Sequence, residues 1–151
     1  MSPAFIKGIE ENFPNASQTF DKFHVIKAAN EALEKVRRRE VETNPLLKGT
    51  CWDWMKNPKN LSQKAQERIN ATLSRKRLQT GKAYRLKVLL QEILDAGRTL
   101  SCAEGKAELE GWLRWALRCR IVEIIEVVKI IARHMEGILN YLPQPNDQCP
   151  A

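Results

Sequence analysis

The 151-residue chain lacks any long apolar run. Its richest stretch, Ile121 to Leu142, is interrupted by Glu123, Glu126, Lys129, Arg133, His134 and Glu136. Nothing approaches the roughly 18 to 20 consecutive apolar residues that a membrane helix requires, so no membrane-embedded role is expected. The opening MSPAFIKGIEENFPNAS has no charged start followed by an apolar stretch, which excludes a readable secretory signal and makes a cytoplasmic setting the default. Cysteine is scarce. Cys51, Cys102, Cys119 and Cys149 stand at gaps too long and irregular for paired zinc ligands, and a chain of this size needs no disulfide staples, so plain reduced thiols are expected. The sequence also has no Gly-rich phosphate loop, no HExxH pattern and no Ser-His-Asp arrangement.

What is present is an ordinary apolar fraction and an excess of cations. Hydrophobic residues make up 43%, enough for one domain with a real core, and 25 Lys and Arg against 18 Asp and Glu give a net charge of +7. That balance raises the expectation of a polyanionic partner.

Apolar spacing is helical nearly everywhere. Ser2 and Pro3 form a cap and first-turn pair for a short helix with Phe5, Ile6 and Ile9 on one face. Ala16 to Phe20, after a Pro-Asn turn, is the one plausible strand. Lys22 to Val41 carries Ile26, Ala29, Leu33 and Val36 at helical spacing and ends in Arg37, Arg38 and Arg39. Those arginines either complement the helix C-terminus on a solvated face or contact phosphate. Asn44 to Pro58 is irregular, with Asp53 between Trp52 and Trp54 reading as a turn or capping residue. Helices follow from Ser62 to about Ser74, from Lys82 to Leu94 with Gly97 ending it, and from a Ser101–Glu104 capping box onward. In that last helix Trp112 and Trp115 read as core and flank rather than as a base-stacking platform. A continuous helix is expected over Ile121 to Tyr141, with His134 beside its apolar stripe, and the Pro-rich PQPNDQCPA tail is expected to fray.

Five stretches in this order, SPAFIKGIEENFPNA, TFDKFHVIKAANEALEKVRR, LLKGTCWDWMKNPKNLS, AYRLKVLLQEI and HMEGILNYL, resemble the ISL-three group of bacterial insertion-sequence transposases. The resemblance implies a DDE-type nuclease of RNase H-like fold, in which two aspartates and a glutamate hold divalent metal ions, magnesium by expectation, for phosphodiester cleavage and strand transfer. It places the second aspartate just before the residue matching Met1, the first further upstream, and the glutamate beyond the stretch matching GILNY. No catalytic carboxylate is therefore expected intact, nor a metal site. Asp21 and His24 match a companion motif beside the active site, while the residues by themselves read as a helix cap and a first-turn packing residue.

The expected fold class is accordingly mostly α: a helical insertion subdomain with a short strand-helix remnant of an α/β RNase H-like domain. Residues 1–43 would be the nuclease-domain remnant, 44–141 the helical insertion and 142–151 a disordered tail. Loss of the sheet would expose the faces of the first two helices and favour self-association through residues 1–36. The surfaces expected to meet DNA, the transposon ends in the full-length family, are Arg37, Arg38 and Arg39, then Arg75, Lys76 and Arg77, then Arg114, Arg118 and Arg120. The functional expectation is a transposase fragment inactive in cleavage alone. Its rivals are a stand-alone basic helical module that docks on DNA or on an intact transposase, and a translated remnant of a decayed mobile element.

Overall fold

A computed structural model describes residues 3, 4, 7, 21–97 and 99–142. Pro3, Ala4 and Lys7 are helical, while the expected strand at Ala16 to Phe20 lies outside the described residues. Among the described residues all regular structure is helical, so the chain is mostly α as its spacing implied.

Helix α1 spans Lys22–Val41 and starts where Asp21 accepts a hydrogen bond from the Phe23 amide at 3.1 Å. That bond satisfies one of the donors a helix start leaves open. Its buried stripe is Val25, Ala29, Ala32, Leu33 and Val36. The irregular segment that follows contains a 3-10 turn at Pro45–Leu47, the short helix α2 at Cys51–Met55 and a second 3-10 turn at Pro58–Asn60. Helix α3, Gln63–Leu73, is capped by Ser62, and α4 covers Gln79–Ala96. Helix α5, Cys102–Leu117, opens with the capping box of Ser101 and Glu104, each side chain bonded to the other's backbone amide.

The helix expected over Ile121 to Tyr141 is broken. Helix α6 runs Val122–Arg133 and α7 runs Met135–Tyr141, with His134 between them at φ −109° and ψ 19°, outside helical geometry. The break turns the chain so that Ile138, Leu139 and Leu142 are buried. Leu142, expected to begin a disordered tail, packs against Gly97 and Gly105, where an added Cβ would collide with its side chain.

Helices α1, α4, α5 and α6 form a bundle in that cyclic order. Lys22 pairs with Asp95 at one end of the α1–α4 contact and the Glu40 carboxylate takes the Gln79 and Thr80 amides at the other, so the two run antiparallel. Trp112 on α5 donates its indole N–H to the Leu86 carbonyl of α4 at 2.8 Å, and Arg39 on α1 pairs with Glu123 on α6. Leu33, Val36, Ile69, Leu90, Leu109, Ile124 and Ile131 lie in one buried cluster. Helices α4 and α6 pack on α1, whose Val25, Ala29, Ala32, Leu33 and Val36 are buried, while Phe23 near its start stays 67% exposed. Cys51 and Cys119 are free thiols, but Cys102 is disulfide-bonded, against the expectation of reduced cysteines throughout.

Candidate nucleic-acid interface

The antiparallel order has one consequence for charge. Helix α1 ends, α4 begins, α5 ends and α6 begins at the same pole of the bundle. Three basic segments far apart in sequence therefore meet there.

The first is the end of α1. Arg37 is buried, with Nε and Nη2 each donating to Glu34 at 2.7 Å and Nη1 donating to the Leu47 carbonyl at 3.0 Å. Its guanidinium is committed to holding the loop after α1, which leaves it no free edge for phosphate. Arg38 also donates to Glu34, at 2.9 Å, yet its side chain remains 74% exposed. Hydrogen bonds from Arg37, aided by Arg38, hold the Glu34 carboxyl at a pKa of about 2 despite burial. Arg39 is half-exposed and joins three helices, bonding Gln79 at 2.7 Å as well as pairing with Glu123.

Arg75, Lys76 and Arg77 form the second segment, in the turn between α3 and α4, where Leu78 closes the turn onto the Arg75 carbonyl at 3.2 Å. All three are exposed and none enters an ion pair among the described residues. Lys82 and Arg85 extend the basic surface along α4, Arg85 reaching back to the Leu73 carbonyl at 3.4 Å. Sequence reasoning passed over these two, although their i,i+3 spacing on the polar side of an apolar stripe was readable.

The third segment is the last turn of α5 and the loop to α6. Arg114, Arg118 and Arg120 are exposed, as is Trp115 between the first two. Arg120 sits at φ +58°, the left-handed region usually left to glycine at a helix end.

Asp21 and His24 lie at the opposite pole and are exposed. Asp21 is the cap of α1, and the His24 ring stands edge-on to Phe23 at 5.9 Å. Among the described residues no three His, Cys, Asp or Glu side chains gather as metal ligands, so the residues present do not fit the metal centre of a DDE nuclease. Glu92 and Asp95 line a cleft of about 390 Å3 toward this same end. Asp53 is buried and paired with Arg68 at 2.7 Å, a structural bridge. Burial, with the nearby Arg133, holds the partly buried His134 below the ordinary imidazole pKa.

A family profile described as a transposase matches residues 1–147. The transposase for insertion sequence element IS1557 of Mycobacterium tuberculosis, in strains CDC 1551 / Oshkosh and ATCC 25618 / H37Rv, is 29% identical over 158 aligned residues. The alignment covers 86% of this chain and 34% of each relative, so the chain spans about a third of the length of the curated relatives it matches. No solved structure matches.

Proposed function

The chain belongs to the ISL-three family of DDE-type transposases, and from that premise we propose that it is the part of such an enzyme that holds DNA while carboxylates elsewhere in the full-length protein perform the chemistry. The family match over residues 1–147 carries this reading. The whole enzyme would move an insertion sequence through divalent metal ions, magnesium by expectation. Residues 1–43 would lead out of the nuclease domain through α1 and residues 44–141 would form its helical insertion. The contribution of the described residues is electrostatic: a pole bearing Arg38, Arg39, Arg75, Lys76, Arg77, Arg114 and Arg118 takes the phosphate backbone. The setting would be the cytoplasm.

Titration of a labelled duplex with the purified chain tests this. Binding is expected at low salt, weakening steeply as salt rises, with no magnesium-dependent nicking. Nicking that disappears in Asp21→Asn would overturn the assignment by showing an acid site in this chain.

One observation favours a second reading, that of a stand-alone module docking on DNA or on an intact transposase. The apolar stripe of α1 from Val25 to Val36 is already buried within the bundle. Co-purification of the tagged chain with the full-length enzyme would support it.

A further inference from the structure

Resting on the DNA-holding reading, we propose that the basic pole takes DNA carrying unpaired bases. Trp115 stacks on an unpaired base while Arg118, Arg120 and the Arg75–Arg77 turn hold the flanking phosphates.

The tryptophans of the bundle have separate fates. Trp54 is buried and donates to the Thr50 hydroxyl at 2.8 Å, and Trp112 is buried and donates to the Leu86 carbonyl at 2.8 Å. Each of these has both its ring and its N–H accounted for by the fold. Trp115 differs: it is 48% exposed, and its indole N–H makes no hydrogen bond among the described residues. Exposed Arg114 precedes it and exposed Arg118 follows it by one turn, with Glu108 and Glu110 further toward the start of α5, and the loop that follows presents Arg120 from a backbone conformation that disfavours a side chain. Leu117 and Val122, 52% and 68% exposed, add apolar surface at the same end.

A basic surface alone serves any duplex, because phosphates are present on all of them. An exposed indole set among arginines adds something a regular duplex cannot use, since paired bases keep their faces stacked on one another. An unpaired base offers a free face, and cations on either side follow its backbone. Trp52 is more exposed still, at 75%, but its neighbours along the chain are Cys51 and the Arg68-paired Asp53. It serves as the internal control.

The experiment compares two labelled probes by fluorescence anisotropy at low salt: a blunt duplex of about 20 base pairs and the same duplex with a few unpaired nucleotides at one end. The wild-type chain is expected to bind the overhang probe roughly tenfold more tightly, the scale of one stacked base. Trp115→Ala should abolish that preference and leave the blunt affinity in place, Trp115→Phe should keep most of it, and Trp52→Ala should change neither. The triple variant Arg75→Ala, Arg77→Ala, Arg118→Ala should weaken both probes alike and flatten the salt dependence. Circular dichroism of each variant separates lost contacts from lost folding. Equal affinity of the wild type for both probes, or equal loss on both in folded Trp115→Ala, would overturn the stacking proposal while leaving the DNA-holding reading intact. Failure to bind either probe would overturn both.

Discussion

Lys87 is fully buried, and it is tolerated because it closes another helix. Its ammonium donates to the carbonyls of Trp54, Met55 and Lys56 at 3.3, 3.2 and 3.0 Å, the last acceptors of α2. Burial lowers its pKa to about 8. Between that value and the ordinary lysine range the unfolded chain binds more protons than the folded one, so stability rises with pH across this window and is lower below it. Lys87→Met is expected to cost about 1–3 kcal/mol near neutral pH, since it strands buried carbonyls. Urea midpoints should show the wild type gaining on the variant from pH 8 toward pH 10. Glu34 works in the other direction. Its pKa of about 2 gives stability that is complete above the ordinary carboxylate range and is lost as pH falls toward 2, so Glu34→Gln should flatten the acid limb of the stability profile. The Arg37 pairing was legible in principle, because Glu34 stands three and four residues before Arg37 and Arg38. Reading the three arginines as one cluster hid it: Arg37 lies next to Val36 on the buried stripe and turns inward. Lys87 was not legible, because its partners are carbonyls of a distant segment and sequence patterns carry no record of those.

Helix caps divide in the same way. Asp21, Ser62 and the Ser101–Glu104 box were readable because both partners lie within a few residues. The start of α4 is different: Leu78 offers no side-chain cap, and the Glu40 carboxylate of α1 does the work, taking the Gln79 amide at 2.8 Å, the Thr80 amide at 2.7 Å and the Thr80 hydroxyl at 2.6 Å. Without that cross-helix cap the sequence places the start of α4 at Lys82, three residues late. Glu40→Ala is expected to destabilise the chain by about 1–2 kcal/mol, near the top of the range for a lost cap, measurable by thermal melts. The break at His134 was equally hidden, since apolar residues continue through it without a change of period. Its purpose shows in the packing it permits, Leu142 against Gly97 and Gly105. Gly97→Ala should therefore destabilise by about 1–3 kcal/mol through overpacking. Pairing it with Leu142→Ala should recover part of that loss, and strict additivity in the double-mutant cycle would refute the contact.

At the scale of the molecule, charge and core are organised by the same antiparallel topology. Helical class, the four long helices and the basic segments could all be read from spacing. Their meeting at one pole could not, because it depends on which helix ends lie side by side. The same holds for the packing of α1 on α4 and α6 at the heart of the bundle. Leu33, fully buried on α1, offers a direct measure of that integration. Truncating it removes a buried isobutyl group and should cost about 2–5 kcal/mol. If α1 and the other helices share one cooperative core, Leu33→Ala should lower the transition of Trp112, two helices away, as much as it lowers the overall helix signal. Tryptophan fluorescence and far-ultraviolet circular dichroism should then report a single coincident melt, in the variant as in the wild type. A Trp112 transition that stays in place while part of the helix signal melts early would mean that α1 is an independent element leaning on a bundle that stands without it.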